Sequence, residues 1–152
     1  MSEINAVTFE VIRNRLVLIS DEMRIALQAV SGSPTVTEAS DFFTGLFLPD
    51  GSIVSMGFQV SFQAPVCGQV IRHINGKPQL KVRDGDIFIG NDPYIGALHQ
   101  NDVQMIGPIY AGGEIIPGPA SRRTRPTSAA WISRAGARRR AKCIRKASVS
   151  PA

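Results

Sequence analysis

The side chains best suited to chemistry gather in one segment, Asn91-Asp92-Pro93-Tyr94-Ile95-Gly96-Ala97-Leu98-His99-Gln100-Asn101-Asp102. His99 and Asp102 form an H-x-x-D pair. An imidazole and a carboxylate at that spacing suit a divalent metal such as zinc, manganese or iron. Asp92 supplies a second carboxylate and is a candidate catalytic residue beside the same cavity. The motif by itself is weak, because H-x-x-D occurs often by chance and a closed metal site usually needs at least three protein ligands. Asn91-Asp92-Pro93 is equally a turn sequence, with the Asp92 carboxylate bonding nearby backbone amides. Both readings stand on the residues alone. The remaining histidine, His73, falls in an expected helix and reads as a surface or core residue. Two cysteines, Cys67 and Cys143, are too few for a disulfide framework, and Cys67 reads as a buried thiol.

The segment needs rigid elements on both sides to display it. Thr8 is a candidate cap for a helix running to about Val30, with apolar residues at Phe9, Val11, Ile12, Leu16, Ile19, Met23 and Leu27. Glu10, Arg13, Asn14, Asp21 and Arg24 would take its wetter face, and Ser31-Gly32-Ser33-Pro34 would stop it. Residues 41–48 read as a strand and Ile53-Val54-Ser55-Met56 as its return, with Pro49-Asp50-Gly51-Ser52 turning between them. A short helix is expected from about Pro65 to Ile74, ended by Asn75-Gly76. Ile87-Phe88-Ile89 is a strand entering the polar segment, and about Val103 to Tyr110 is a strand leaving it. That second strand would turn at Ala111-Gly112-Gly113 into Glu114-Ile115-Ile116. The class this predicts is α+β: a long N-terminal helix, β-hairpins and a mixed sheet belonging to a larger, truncated domain.

At 152 residues with 43% hydrophobic and 19% charged side chains, the chain has a globular composition. Its apolar runs are far too short to span a bilayer, and its N-terminus lacks the basic and apolar regions of a signal peptide. The expectation is a cytoplasmic protein with no membrane contact. The net charge of +5 hides two compositions. Residues 1–118 carry 7 Lys+Arg against 12 Asp+Glu, a balance of −5. Residues 119–152 carry 10 Lys+Arg and no acid, a balance of +10. A basic tail can mark a nucleic-acid arm. This one has a single aromatic residue, Trp131, and no nucleic-acid motif, which argues against that partner.

Several stretches together resemble one family. NDPYIGALHQNDVQMIGPIY is similar to the "NDPY-x-GG-T-H-x-x-D" signature of the hydantoinase B / 5-oxoprolinase family. TFEVIRNRLVLISDEM resembles its N-terminal helix, SPTVTEASDFFTGLFLPDGSIVSMG its hairpin, and DGDIFIGNDPY its "GDVF-x-x-NDPY". The likeness covers about residues 5–116 in consistent order. It implies the B-type subunit of an ATP-dependent hydantoinase or 5-oxoprolinase, which hydrolyses a cyclic amide. The corresponding subunit of an acetone or acetophenone carboxylase is the alternative. It also implies a hetero-oligomer with an A-type subunit or domain that binds ATP and passes on an activated substrate. In acetone carboxylases the site holds manganese, and His99 and Asp102 match its H-x-x-D ligands. Asp92 matches the NDPY aspartate in a supporting role. The chain departs from the pattern at Ala97-Leu98, where the family has Gly-Thr. A later histidine motif, "A-H-x-x-D-x-GG", is missing after Glu114-Ile115-Ile116.

The tail offers a reason for that loss. Shifting the frame by one nucleotide from the Arg123/Thr124 junction, synonymous codons allow HQADVGGMDFPGWSPKAREVYQEGVRLP, which restores the missing motif. At the Trp131/Ile132 junction the choice is forced: TGG followed by AT gives GAT, the aspartate that the family-like "GGMD" requires. Residues 1–118 are therefore expected to be the N-terminal part of a hydantoinase B/oxoprolinase-like domain. Residues 119–152 are expected to be an out-of-frame, largely irregular and disordered tail, with the frame break near Ile116 to Gly118. A chain of that kind is expected to be inactive alone, and it carries no P-loop. The contrasting class is a small non-enzymatic protein with a basic nucleic-acid-binding tail.

Overall fold

The computed structural model describes residues 4–57, 61–80, 82–83, 85–110, 127–133 and 145–148, the last two segments by their backbone. Helix α1 spans Ala6–Val30. Its cap is Asn5 rather than Thr8: the Asn5 side chain accepts the Thr8 N–H at 2.8 Å, which places Thr8 inside the first turn. The Ser-Gly-Ser-Pro stretch does stop α1, but Pro34 then opens a further one-turn helix, α2 (Pro34–Thr37). Proline is well suited to that first helical position, where its missing N–H costs nothing.

Strands β1 (Phe42–Phe47) and β2 (Ile53–Met56) form the expected antiparallel hairpin. In the turn, Gly51 N–H donates to Leu48 O at 2.9 Å, and the Asp50 carboxylate accepts the Ser52 N–H at 2.8 Å. Gly51 takes φ +81°, a conformation that suits a residue without Cβ. A 3₁₀ turn (Ser61–Gln63) leads into α3 (Ala64–Asn75). β3 (Asp86–Gly90) and β4 (Val103–Ile109) flank the polar segment and pair antiparallel.

Two more strands lie in the basic tail, β5 (Thr127–Ser133) and β6 (Arg145–Ser148). The six strands run β2-β1-β5-β4-β3-β6, and every pairing is antiparallel. The α+β class holds, while the sheet is antiparallel rather than mixed. The described parts of the tail are also strands where irregular chain was expected. The physical reason is visible in β1, whose six residues are all buried. Its backbone needs hydrogen-bond partners on both edges, because buried amides cannot turn to water. β5 supplies the second edge and bridges β1 to β4 from Ser128 to Ser133. The turn and strand expected at 111–116 lie outside the described residues.

Helices cover both faces of β1. On one side Thr44 donates its hydroxyl to Ser20 O at 3.1 Å, and the Ser20 hydroxyl lies 3.0 Å from that of Ser55, tying α1 to β1 and β2. On the other, Phe43 and Phe47 join Cys67, Val70, Ile71 and Ile74 of α3, with Phe88 and Ile106, in one apolar core. This alternation follows the two-residue period of a strand. Gly51 and Gly68 bring the hairpin turn against α3: a Cβ on Gly68 would lie 2.4 Å from Gly51 O.

Only part of α1 meets the sheet. Leu16, Val17, Met23 and Leu27 are half-buried and Ser20 is fully buried, but every residue from Ala6 to Arg15 is exposed. Phe9, Val11, Ile12 and Ile19, expected on a core-facing stripe, are exposed too. Asp21 and Arg24, expected on the wetter face, are half-buried and paired at 2.6 Å. A helix of 25 residues is about 37 Å long and overhangs the narrow hairpin it rests on. No helix among the described residues is long and apolar enough to cross a membrane.

Candidate functional site

Residues 91–102 connect β3 to β4, so both ends are anchored in the sheet. Asp92 starts the loop as a turn. Its carbonyl accepts the N–H groups of Ile95, Gly96 and Ala97, each at 3.1 Å, and its Oδ1 accepts the Tyr94 N–H at 2.9 Å. The turn chemistry read from Asn91-Asp92-Pro93 is therefore present, and it fixes the half-buried Asp92 carboxylate in place. Buried Asn91 closes the loop by donating Nδ2 to Gln100 O at 2.7 Å.

Two further residues hold the loop down, and no sequence motif marks the first of them. Gln104, buried on β4, donates Nε2 to Gly96 O at 2.6 Å. Nothing in the sequence around Gln104 marks it, since a glutamine within a strand is unremarkable until its burial is known. Gly96 rests against α3 with φ +156°, and a Cβ there would come within 2.6 Å of Val66 O and of Val70 Cγ2. A lone glycine amid polar residues was the available signal for such a close approach.

His99 and Asp102 end up together. The Asp102 Oδ2 accepts the His99 N–H at 3.0 Å, and the Asp102 N–H donates to His99 O at 3.1 Å. The His99 Nδ1 lies 3.5 Å from the same Oδ2. Asp102 is enclosed, with its side chain 2% exposed, whereas the His99 ring is 59% exposed. The carboxylate orients the loop and the imidazole faces outward. One nitrogen and one carboxylate donor fit part of a zinc, manganese or iron ligand set. Among the described residues no group of three or more His, Cys, Asp or Glu could hold an ion, so further donors would have to join these two. His73 is half-buried on α3. Cys67 is buried in the core, as expected, and its burial pushes the thiol pKa well up.

An antiparallel sheet between two helices, displaying a pinned polar loop with an imidazole–carboxylate pair, defines a scaffold-and-loop α+β protein. Comparison with known proteins makes this specific. The model for the family Hydantoinase B/oxoprolinase matches residues 5–123, and the chain belongs to that family. It is 28% identical over 123 residues to 5-oxoprolinase 1 of Arabidopsis thaliana, covering 78% of this chain and 9% of that protein. It is 26% identical over 83 residues to the acetophenone carboxylase delta subunit of Aromatoleum aromaticum, covering 55% of this chain and 12% of the relative. A nucleotide-free structure of acetone carboxylase superposes with a TM-score of 0.70 at 21% identity, over 83% of this chain and 16% of that one. The chain thus spans a small part of the proteins it resembles, and β5 and β6 lie beyond the matched stretch.

Proposed function

We propose that this chain is part of the B-type subunit of an ATP-dependent hydantoinase or 5-oxoprolinase, which opens a cyclic amide with an ATP-binding A-type partner. The observation that carries it is the loop 91–102 within the family-matched stretch, where Asp92, His99 and Asp102 are held by β3, β4 and α3. His99 and Asp102 would hold a divalent ion with donors from elsewhere. Bound there, the ion would polarise the substrate carbonyl or lower the pKa of a water. Asp102 orients the His99 turn through its backbone hydrogen bond. Asp92 would play a supporting part in the same loop. The protein works in the cytoplasm, without nucleic acid. Its likeness to the acetophenone carboxylase delta subunit and to acetone carboxylase supports a second reading, carboxylation of a ketone.

The 152-residue chain by itself is inactive in this proposal, its tail read in a shifted frame. The basis is composition: residues 119–152 carry 10 Lys+Arg and no acid, and a shift of one nucleotide allows family-like sequence there. The test has two arms. Sequencing the gene across Ile116–Ala120 reveals the frame. The frame-restored protein is then assayed with an A-type partner, for ADP release coupled to ring opening of hydantoin or 5-oxoproline, and for bicarbonate-dependent carboxylation of a ketone. Ring opening supports the first reading and carboxylation the second. A gene whose shifted frame does not continue the family, or robust ATP-independent hydrolysis by the 152-residue chain, overturns the proposal.

A further inference from the structure

The side of α1 turned away from the sheet is apolar and carries one uncommitted pair of opposite charges. At about 100° per residue, Val11, Leu18 and Ile25 fall on one edge of that side and Ile12 and Ile19 on the other. All five are between 43% and 57% exposed. A helix apolar on both sides is ordinarily covered on both. Between the two edges lie Arg15 and Glu22, both exposed. The other charged neighbours on this helix are satisfied locally, Arg13 by Glu10 and Arg24 by Asp21. Arg15 and Glu22 take part in no ion pair of that kind among the described residues, and at seven residues apart they are two turns distant.

We propose that this face pairs with α1 of a second copy of the same chain, antiparallel, about a two-fold axis passing between Leu18 and Ile19. That arrangement places Arg15 opposite Glu22 of the second copy, and Glu22 opposite its Arg15. The same axis sets Leu18 against the second copy's Ile19, Ile12 against its Ile25, and Val11 against its Ala26. Every large apolar residue therefore meets an apolar one. The reciprocity is what an isologous interface demands, because each patch must complement itself. A parallel pairing would instead place Arg15 beside Arg15, and like charges so placed are repulsive. The pairing depends on α1 alone and not on the reaction proposed above.

Sedimentation velocity and light scattering on the full 152-residue chain test this. The unsubstituted protein is expected to be a dimer at micromolar concentration. Arg15→Glu sets two carboxylates against each other twice and is expected to weaken the dimer by more than about tenfold. Adding Glu22→Arg to that variant restores opposite charges and is expected to restore the dimer. Both positions are exposed, so circular dichroism should show helix content unchanged in each variant. A monomeric unsubstituted chain would overturn the proposal, as would a dimer indifferent to Arg15→Glu or a double variant that stays dissociated. So would a chain that stays monomeric and uses α1 only to bind an A-type partner.

Discussion

One oxygen of Asp102 serves two groups of His99: Oδ2 accepts the His99 N–H at 3.0 Å and lies 3.5 Å from its Nδ1. The carboxylate is enclosed and the ring is open to solvent, so their loss should cost stability unequally. Asp102→Ala strips an acceptor from a part-buried amide and should destabilise the protein by about 1–3 kcal/mol in thermal or urea denaturation. His99→Ala should change stability by less than about 0.5 kcal/mol. It should also abolish any rise in melting temperature produced by added Mn²⁺ or Zn²⁺. Equal destabilisation by the two substitutions would sink this division of labour.

The contact between Gly51 and Gly68 leaves no space for a side chain. A Cβ on Gly68 would sit 2.4 Å from Gly51 O, and backbone cannot step aside as a flexible side chain can. Gly68→Ala should cost about 2 kcal/mol or more. Gly32→Ala is the matched control, because nothing lies within 4 Å of its Cβ position. It should be neutral or slightly stabilising. Similar urea midpoints for the two variants would mean the hairpin does not rest on α3 this way.

The Cys67 thiol should be inert in the folded protein. Burial raises its pKa, so it stays protonated at neutral pH, and the thiol form is a poor nucleophile. In a Cys143→Ser background, labelling by a disulfide reagent should be absent under native conditions and complete in denaturant. Fast native labelling would place Cys67 at the surface.

Acid should loosen the β1–β2 turn. The Ser52 N–H hydrogen bond holds the Asp50 carboxyl below its ordinary value of 3.8, aided by the Ser52 side chain. A depressed folded pKa contributes stability that is present above the unfolded value and lost as pH falls through the folded one. Melting temperatures should therefore drop below about pH 4, and Asp50→Asn, which keeps the acceptor without the charge, should flatten that drop. A slope unchanged by Asp50→Asn would show that other carboxylates carry it. Asp21, lowered by its hydrogen bond to Arg24, is the next to substitute.

Much of the scaffold was legible because its signals are local. Asp50-Gly51 between two apolar runs specifies a hairpin, and Asn75-Gly76 ends α3 where expected. Asn91-Asp92-Pro93 was read as a turn, and its hydrogen bonds bear that out. The proximity of His99 to Asp102 follows from three-residue spacing. What escaped depends on contacts distant in sequence. Periodicity shows that α1 has apolar sides but not which one meets the sheet, where Ser20 bonds with Thr44 and Ser55 beside half-buried Leu16, Val17, Met23 and Leu27. Gln104 became visible only once its side chain was seen bonded to Gly96 O. The composition of the tail suggested disorder, while Thr127–Ser133 extends because two strand edges await it.

That last strand has a wider consequence. Without β5, no strand pairing among the described residues connects the β1–β2 hairpin to the β3–β4 pair. Among the described residues, the family-matched stretch is therefore less a finished sheet than a socket, two parted rims of backbone amides and carbonyls. Such a socket recognises extended main chain more than side-chain identity. A segment of quite different composition can fill it as long as it can lie straight, so a strongly basic tail and a paired sheet are compatible in one polypeptide.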